Sequence, residues 1–169
     1  VQEFVNTSDR RRGRDVLTSD RSLGRWLDAH DLIGHGRPVG ELDVALALRV
    51  REGLRDAFDV RRSPGADAAD VLNDLARRAG IVPYVTLGGQ VRLKPTAGGA
   101  VGGLGRIVAI TMQALLDGTA AGMRVCGDDE CRSVYFDGSR SRASDRCGDP
   151  LCGGGRHRLR VRRIRSRGA

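Results

Sequence analysis

The chain has 169 residues, 40% of them hydrophobic and only 4% aromatic, with a formal charge of +8. That length suits one domain, or one domain with a small appendage, whose core must be filled by aliphatic side chains and alanine. No apolar run approaches the roughly 18 residues of a membrane span, and the opening VQEFVNTSDRRRG has no secretory pattern, so a soluble cytoplasmic protein without a membrane partner is expected.

Leu23, Trp26 and Leu27 stand at helical spacing and predict a short amphipathic helix from near Ser22. Gly34, Gly36, Pro38 and Gly40 mark a loop. A longer helix is predicted from about Glu41 to Val60, with Ala47, Val50, Leu54, Ala57 and Phe58 as its apolar stripe, broken by Pro64-Gly65. A third follows from about Asp67 to Ala79, with Val71, Leu72 and Leu75 inward and Gly80 as its C-cap. The period then changes. Ile81 to Leu87 and Gln90 to Lys94 read as two strands joined by a tight turn at Gly88-Gly89. Five glycines from Gly98 to Gly105 weaken the start of the next helix, which is convincing from about Leu104 to Asp117, with Leu104, Val108, Met112 and Leu115 on one face. No internal repeat is evident. The predicted fold is mainly α: a helical N-terminal domain with one β-hairpin (residues 1–123), then a small Cys- and Arg-rich module (residues 124–169).

The charge is concentrated in that module. Residues 1–123 carry seventeen basic and fifteen acidic groups, whereas residues 124–169 carry twelve and six. From Pro150 onward there are seven arginines and no acid. Such a patch attracts polyanions without specifying which one.

The same module holds all four cysteines as two pairs, Cys126/Cys131 and Cys147/Cys152. Two thiolates from each of two short loops can close a tetrahedral zinc site, and turn formers fill both gaps: Gly127-Asp128-Asp129 and Gly148-Asp149-Pro150. The alternatives are two disulfides, which a cytoplasmic chain disfavours, or inert buried thiols, which belong on apolar faces rather than among Asp, Gly and Arg. The reading is one structural zinc ion on Cys126, Cys131, Cys147 and Cys152, with no position left for a catalytic water. Arg132 and Arg146, each next to a cysteine, could offset the negative charge of four thiolates. His157 could replace one sulfur, although four already suffice.

The tail from Arg156 reads RHRLRVRRIRSRG. As a helix it would align Arg156, Arg160, Arg163 and Arg167, and phosphates would relieve their repulsion and release counterions. Its alternating pattern fits an extended strand equally, and a solvated chain end is the bland alternative. Arg156, Arg158, Arg160, Arg162 and Arg163 are the expected DNA contacts, with Arg140 and Arg142 as lesser candidates; none is identified as reading a base. Tyr135 and Phe136 are expected in the module's small core rather than stacked on bases. Asp137 and Ser139 look like a turn or cap, with Asp145 a further cap candidate. His30 and His35 have no nucleophile partner and read as solvated. The Gly98–Gly105 run lacks the lysine and context of a phosphate loop, and no catalytic constellation is found.

Taken together, these residues resemble the bacterial family that joins an ABATE domain to a CGNR zinc finger and is described as stress-induced transcription regulators. The resemblance runs nearly the whole length. Phe4-Val5-Asn6-Thr7 and Leu23-Gly24-Arg25-Trp26-Leu27 look like the opening of the ABATE domain, and the helices and hairpin come in the family's order. Cys126, Cys131, Phe136, Asp137, Ser139 and Arg140 fall where the finger places its first pair and the segment after it, and Cys147 and Cys152-Gly153 match the second pair. The chain departs from the naming motif. Gly154 and Gly155 replace the family's Asn-Arg, with Arg156 one place later, and Arg146 replaces the usual bulky residue before the third cysteine. The resemblance implies a treble-cleft or ribbon-like zinc module with four cysteine ligands, and a DNA partner. The second reading is a protein–protein or ligand-binding module in which zinc only staples the C-terminus, with a homodimer or a small molecule in the helical domain.

Overall fold

Burial of the predicted helix stripes against one another organises the molecule. The computed structural model describes residues 1–34, 36–59, 61, 66–139, 144–150 and 152. Among them, the chain runs through α1 (Gln2–Val5), β1 (Ser8–Asp9), β2 (Arg14–Asp15), α2 (Asp20–Ala29), α3 (Glu41–Ala57), α4 (Ala66–Arg78), β3 (Val82–Val85), β4 (Val91–Lys94), α5 (Gly99–Leu116), β5 (Met123–Val125) and β6 (Val134–Phe136). The architecture is mainly helical, as predicted. The strands form three antiparallel hairpins, β1–β2, β3–β4 and β5–β6, rather than the single one expected. One turn of helix and two-residue strands are too short for hydrophobic periodicity to register.

Helix boundaries follow local chemistry. Ser19 caps α2 by accepting from the Ser22 backbone N–H at 3.2 Å, while the Ser22 hydroxyl accepts from the Ser19 N–H at 2.9 Å. Gly80 ends α4 with φ +59°, as its C-cap role predicts. The β3–β4 turn is longer than the predicted Gly88-Gly89 pair. Thr86 and Gln90 still face each other, the Thr86 N–H donating to the Gln90 carbonyl at 2.9 Å, and Gly89 takes the left-handed position at φ +74°.

The core joins Phe4 and Val5 of α1, Leu23 and Leu27 of α2, Val50 and Leu54 of α3, Leu75 and Ala79 of the α4 region, and Leu104, Ile107 and Val108 of α5. α5 corrects the sequence reading. It starts at Gly99, and its glycines are packing positions rather than a weak start. A Cβ on Gly105 would collide with the Cβ of Ala79 and lie 3.3 Å from that of Pro95; one on Gly103 would lie 2.9 Å from the Leu32 carbonyl oxygen. Over its 18 residues α5 has a mean hydropathy of 1.4, enough by length and composition to cross a membrane, yet half of it is buried in this fold. Leu115, predicted on the buried face, is mostly exposed.

α3 also buries two cations that no apolar stripe announced. Arg51 donates to both Asp15 oxygens at 2.7 Å and to the Thr7 hydroxyl at 3.2 Å. Arg55 is 1% exposed, donates to the Val5 carbonyl at 2.6 Å and pairs with Glu52. Every residue of Phe4-Val5-Asn6-Thr7 is thereby engaged. Phe4 packs on Trp26 with ring centroids 5.3 Å apart, Val5 and Thr7 hold the arginines, and Asn6 reaches the C-terminal hairpin.

Candidate metal centre

The β5–β6 hairpin presents the first cysteine pair. Arg124 pairs with Tyr135 and Val125 with Val134, and the ladder extends by one bond, from the Cys126 N–H to the Ser133 carbonyl at 2.9 Å. Cys126–Ser133 is therefore the hairpin's loop. Arg132, at φ +48°, turns the chain back into β6.

The two cysteine loops are built alike. In each, the backbone of the residue two places after the first cysteine, Asp128 or Asp149, favours the ionised form of that cysteine's sulfur. In each, the second cysteine's N–H, of Cys131 or Cys152, donates back to the same aspartate's carbonyl at 2.9 Å. The sequence signal is a repeated C-G-D-x-x-C, at Cys126–Cys131 and Cys147–Cys152, a short repeat that the sequence reading missed. Gly148 takes φ +75°. At Gly127 the crowding is external: a Cβ would lie 2.8 Å from both an Arg61 nitrogen and the Asp145 carbonyl oxygen.

The four sulfurs converge. Cys126 and Cys152 lie 3.5 Å apart, Cys131 and Cys147 3.8 Å, and all four within 4.8 Å of one another. Disulfide sulfurs would sit about 2.05 Å apart, far closer than these. A tetrahedral ion with metal–sulfur bonds of about 2.3 Å requires sulfurs about 3.8 Å apart, so the set fits a metal ion. Its electrostatics agree. Burial opposes ionisation of Cys126, but the N–H groups of Asp128 and Cys147 and the adjoining sulfurs outweigh it and hold that thiol below its ordinary value. Burial pushes the Cys147 thiol well up, reinforced by the charges of Cys131 and Cys126. Four thiolates this close need a cation among them to ionise together.

Among the described residues, the polar side chains of Asn6, Arg132 and Arg61 tie the centre to the helical domain, and Val125 and Val134 join its core. Asn6 acts as a surrogate strand residue: its Nδ2 donates to the Val134 carbonyl at 2.7 Å and its Oδ1 accepts from the Val134 N–H at 2.8 Å. Arg132 is buried and turned toward α3, 3.1 Å from Asp56 and 3.5 Å from Asp59. Arg61 crosses the other way, binding Asp59 at 3.1 Å and the Cys126 carbonyl at 3.4 Å. Asp59, 1% exposed, is thus clamped between two guanidinium groups. Arg132, expected to offset the thiolate charge, pairs with carboxylates of the helical domain. A further cation at the cysteine loop is Arg61, which the sequence reading missed. Arg146 is half exposed and 3.9 Å from Asp145.

Tyr135 packs against the cysteine cluster and donates to the Ser144 carbonyl at 2.6 Å. Phe136, expected in the module's core, is exposed, its ring edge against Gly122. Asp137 closes the predicted turn by accepting from the backbone N–H groups of Ser139 at 3.0 Å and Ser144 at 3.1 Å. His30 is not simply solvated: it stacks on Trp26, bonds the Trp26 carbonyl at 2.8 Å and lies 3.0 Å from Glu3. Arg140, Arg142, Arg156, Arg158, Arg160, Arg162 and Arg163, with His35 and His157, lie outside the described residues.

A mainly helical domain carrying a cluster of four cysteines able to hold a metal ion is the class these features define. Residues 1–121 match the model of the ABATE family, whose description reads "Putative stress-induced transcription regulator", and the chain belongs to that family. The match ends two residues before β5, so the cysteine module lies beyond it. No curated protein matches the chain.

Proposed function

We propose that this chain is a DNA-binding transcription regulator of the bacterial cytoplasm. In this reading the cysteine module is a CGNR-like finger that holds one structural zinc ion and presents the arginine-rich tail to phosphates, while the helical domain senses a signal or mediates assembly. The observation that carries the reading is the convergence of four sulfurs on two like loops, clamped to a domain whose family is described as regulatory. Zinc bound by Cys126, Cys131, Cys147 and Cys152 would supply cross-linking and no catalysis, since four thiolates leave no place for a water. The chain's own groups do the rest. Asn6, Arg61 and Arg132 fix the module's orientation, and Arg156, Arg158, Arg160, Arg162 and Arg163, with Arg140 and Arg142, supply the positive charge.

The test measures metal content and duplex-DNA retardation on the same reduced sample, for the intact chain and for one cut after Gly155. The reading expects about one zinc per chain. It expects DNA affinity that falls with salt at a log–log slope near −0.9 per phosphate neutralised, and loss of most of that slope on truncation. Equal binding by the truncated chain removes the tail from the mechanism. Stoichiometric zinc without retardation even at low salt favours the second reading, a ligand- or protein-binding module stapled by metal.

A further inference from the structure

Away from the cysteines, a groove of about 450 Å³ runs between the β3–β4 hairpin and α5. Its size falls within the range of small-molecule sites. The strand register builds one wall: Tyr84 faces Arg92 and Val82 faces Lys94, so Tyr84, Arg92 and Lys94 share one face of the ribbon. Helical spacing builds the other, with Arg106, Ile110, Gln113 and Asp117 at i, i+4, i+7 and i+11 along α5.

Three cations thus meet an apolar surface supplied by Tyr84, Ile110 and Ala114. Among the described residues their hydrogen-bond and ring partners are neutral, and Arg92 also feels the charge of Asp117 across the groove. Lys94 Nζ lies 4.9 Å from the centroid of the Tyr84 ring, Arg92 donates to the Gln90 side-chain oxygen at 3.0 Å, and Arg106 donates to the Asp31 carbonyl at 2.9 Å. Other cations of the chain take carboxylates, as Arg51, Arg61 and Arg132 do, or backbone carbonyls, as Arg124 does. The acid of the groove, Asp117, is occupied by Thr119, accepting from its N–H at 3.0 Å and its hydroxyl at 2.6 Å. Tyr84 and Ile110 are left substantially exposed beside these charges.

From this arrangement we infer that the groove is a binding site for a small organic anion with a flat apolar body, such as an aromatic carboxylate. The body lies between Tyr84 and Ile110, and the anionic group is held by Arg92, Lys94 and Arg106. An apolar body alone leaves the cations unused, and an inorganic anion leaves the apolar walls wet. Identifying this site with the sensing role rests on the regulator reading above. The binding itself does not, so it is measured directly and without DNA.

The probes are 2-naphthoate and its neutral counterpart 2-naphthamide, titrated into the intact chain and followed by backbone amide NMR. The expected result is saturable naphthoate shifts on β3, β4 and the face of α5 bearing Arg106, Ile110 and Gln113. Naphthamide should bind at least about fivefold more weakly, and raising the salt from about 0.05 to 0.5 M should weaken naphthoate further. The double variant R92Q/R106Q changes two exposed side chains, keeps the remaining amide spectrum and should lose naphthoate affinity at least about fivefold. Equal binding of acid and amide, undiminished binding by the double variant, or shifts confined to the apolar cavity lined by Leu54, Leu72, Val108 and Met112 overturns the assignment. Absence of DNA retardation alongside groove binding would remove only the regulator reading.

Discussion

Replacing Asn6 with alanine should undock the cysteine module from the helical domain. The side chain makes two hydrogen bonds, at 2.7 and 2.8 Å, to the carbonyl and N–H of Val134, a residue 1% exposed. Alanine leaves both backbone groups unpaired, and an unsatisfied buried group costs about 1–3 kcal/mol. Water reaches one side of this half-buried contact, so a total of about 2–3 kcal/mol is expected. That is a large fraction of the ~5–15 kcal/mol that holds a domain together, and it should lower Tm by about 5–10 °C for a chain of this size. Urea unfolding followed by the fluorescence of Trp26, the single tryptophan, gives the energy. The rate at which Ellman's reagent modifies the four cysteines reports undocking. Asn6→Asp is the sharper variant. It keeps the acceptor for the Val134 N–H but sets a second carboxylate oxygen against the Val134 carbonyl. It should be at least as damaging at neutral pH and recover as acid protonates it and restores a donor. A loss below about 0.5 kcal/mol in Asn6→Ala, with unchanged thiol reactivity, would refute the idea that this pair of bonds docks the module.

Arg132→Met keeps the stem of the side chain but removes a guanidinium group that pairs with Asp59. Stripping one partner from a buried charge cluster should cost about 3 kcal/mol in denaturant unfolding. Gly105→Ala should destabilise by about 1–2 kcal/mol in the same assay, because the collision with Ala79 outweighs the gain in helix propensity. The pH dependence should show Asp15. Its hydrogen bonds to Arg51 hold its carboxyl below the usual range, so its contribution is present above the unfolded carboxyl pKa and lost as pH falls through the lower folded one. Asp15→Asn should therefore cost stability at pH 7 and flatten the acid limb of a Tm–pH curve. A strong zinc chelator should unfold the cysteine module more readily at pH 5.5 than at pH 7.5, because protons compete for the sulfurs. Amide exchange over β5 and β6 measures this.

The reach of sequence reading can be judged residue by residue. The stripes through Leu23/Leu27, Val50/Leu54 and Leu104/Val108 were legible because burial of apolar surface is non-directional and leaves a period in the chain. Gly80 was legible because a left-handed cap needs no knowledge of its surroundings. The four-sulfur cluster was legible because soft ligands were grouped in one short segment. The α5 glycines were misread, since helix propensity is a local prior whereas Gly105 answers to Ala79 on another element.

The sequence alone therefore determined the long helices α2 to α5, most of the faces they bury, and which four sulfurs can share an ion. Tertiary structure alone decided how the module is held. Asn6 and Val134 lie 128 residues apart, Arg132 and Asp56 76, and Arg61 and Cys126 65. Arg51 and Arg55 look like solvated charges on the sequence of α3 but are buried against Asp15, Thr7 and the Val5 carbonyl. The physical reason is directionality. Apolar burial needs only a side to face, whereas a hydrogen bond or ion pair needs a particular partner at a particular distance and angle, and that partner exists only once the chain has folded.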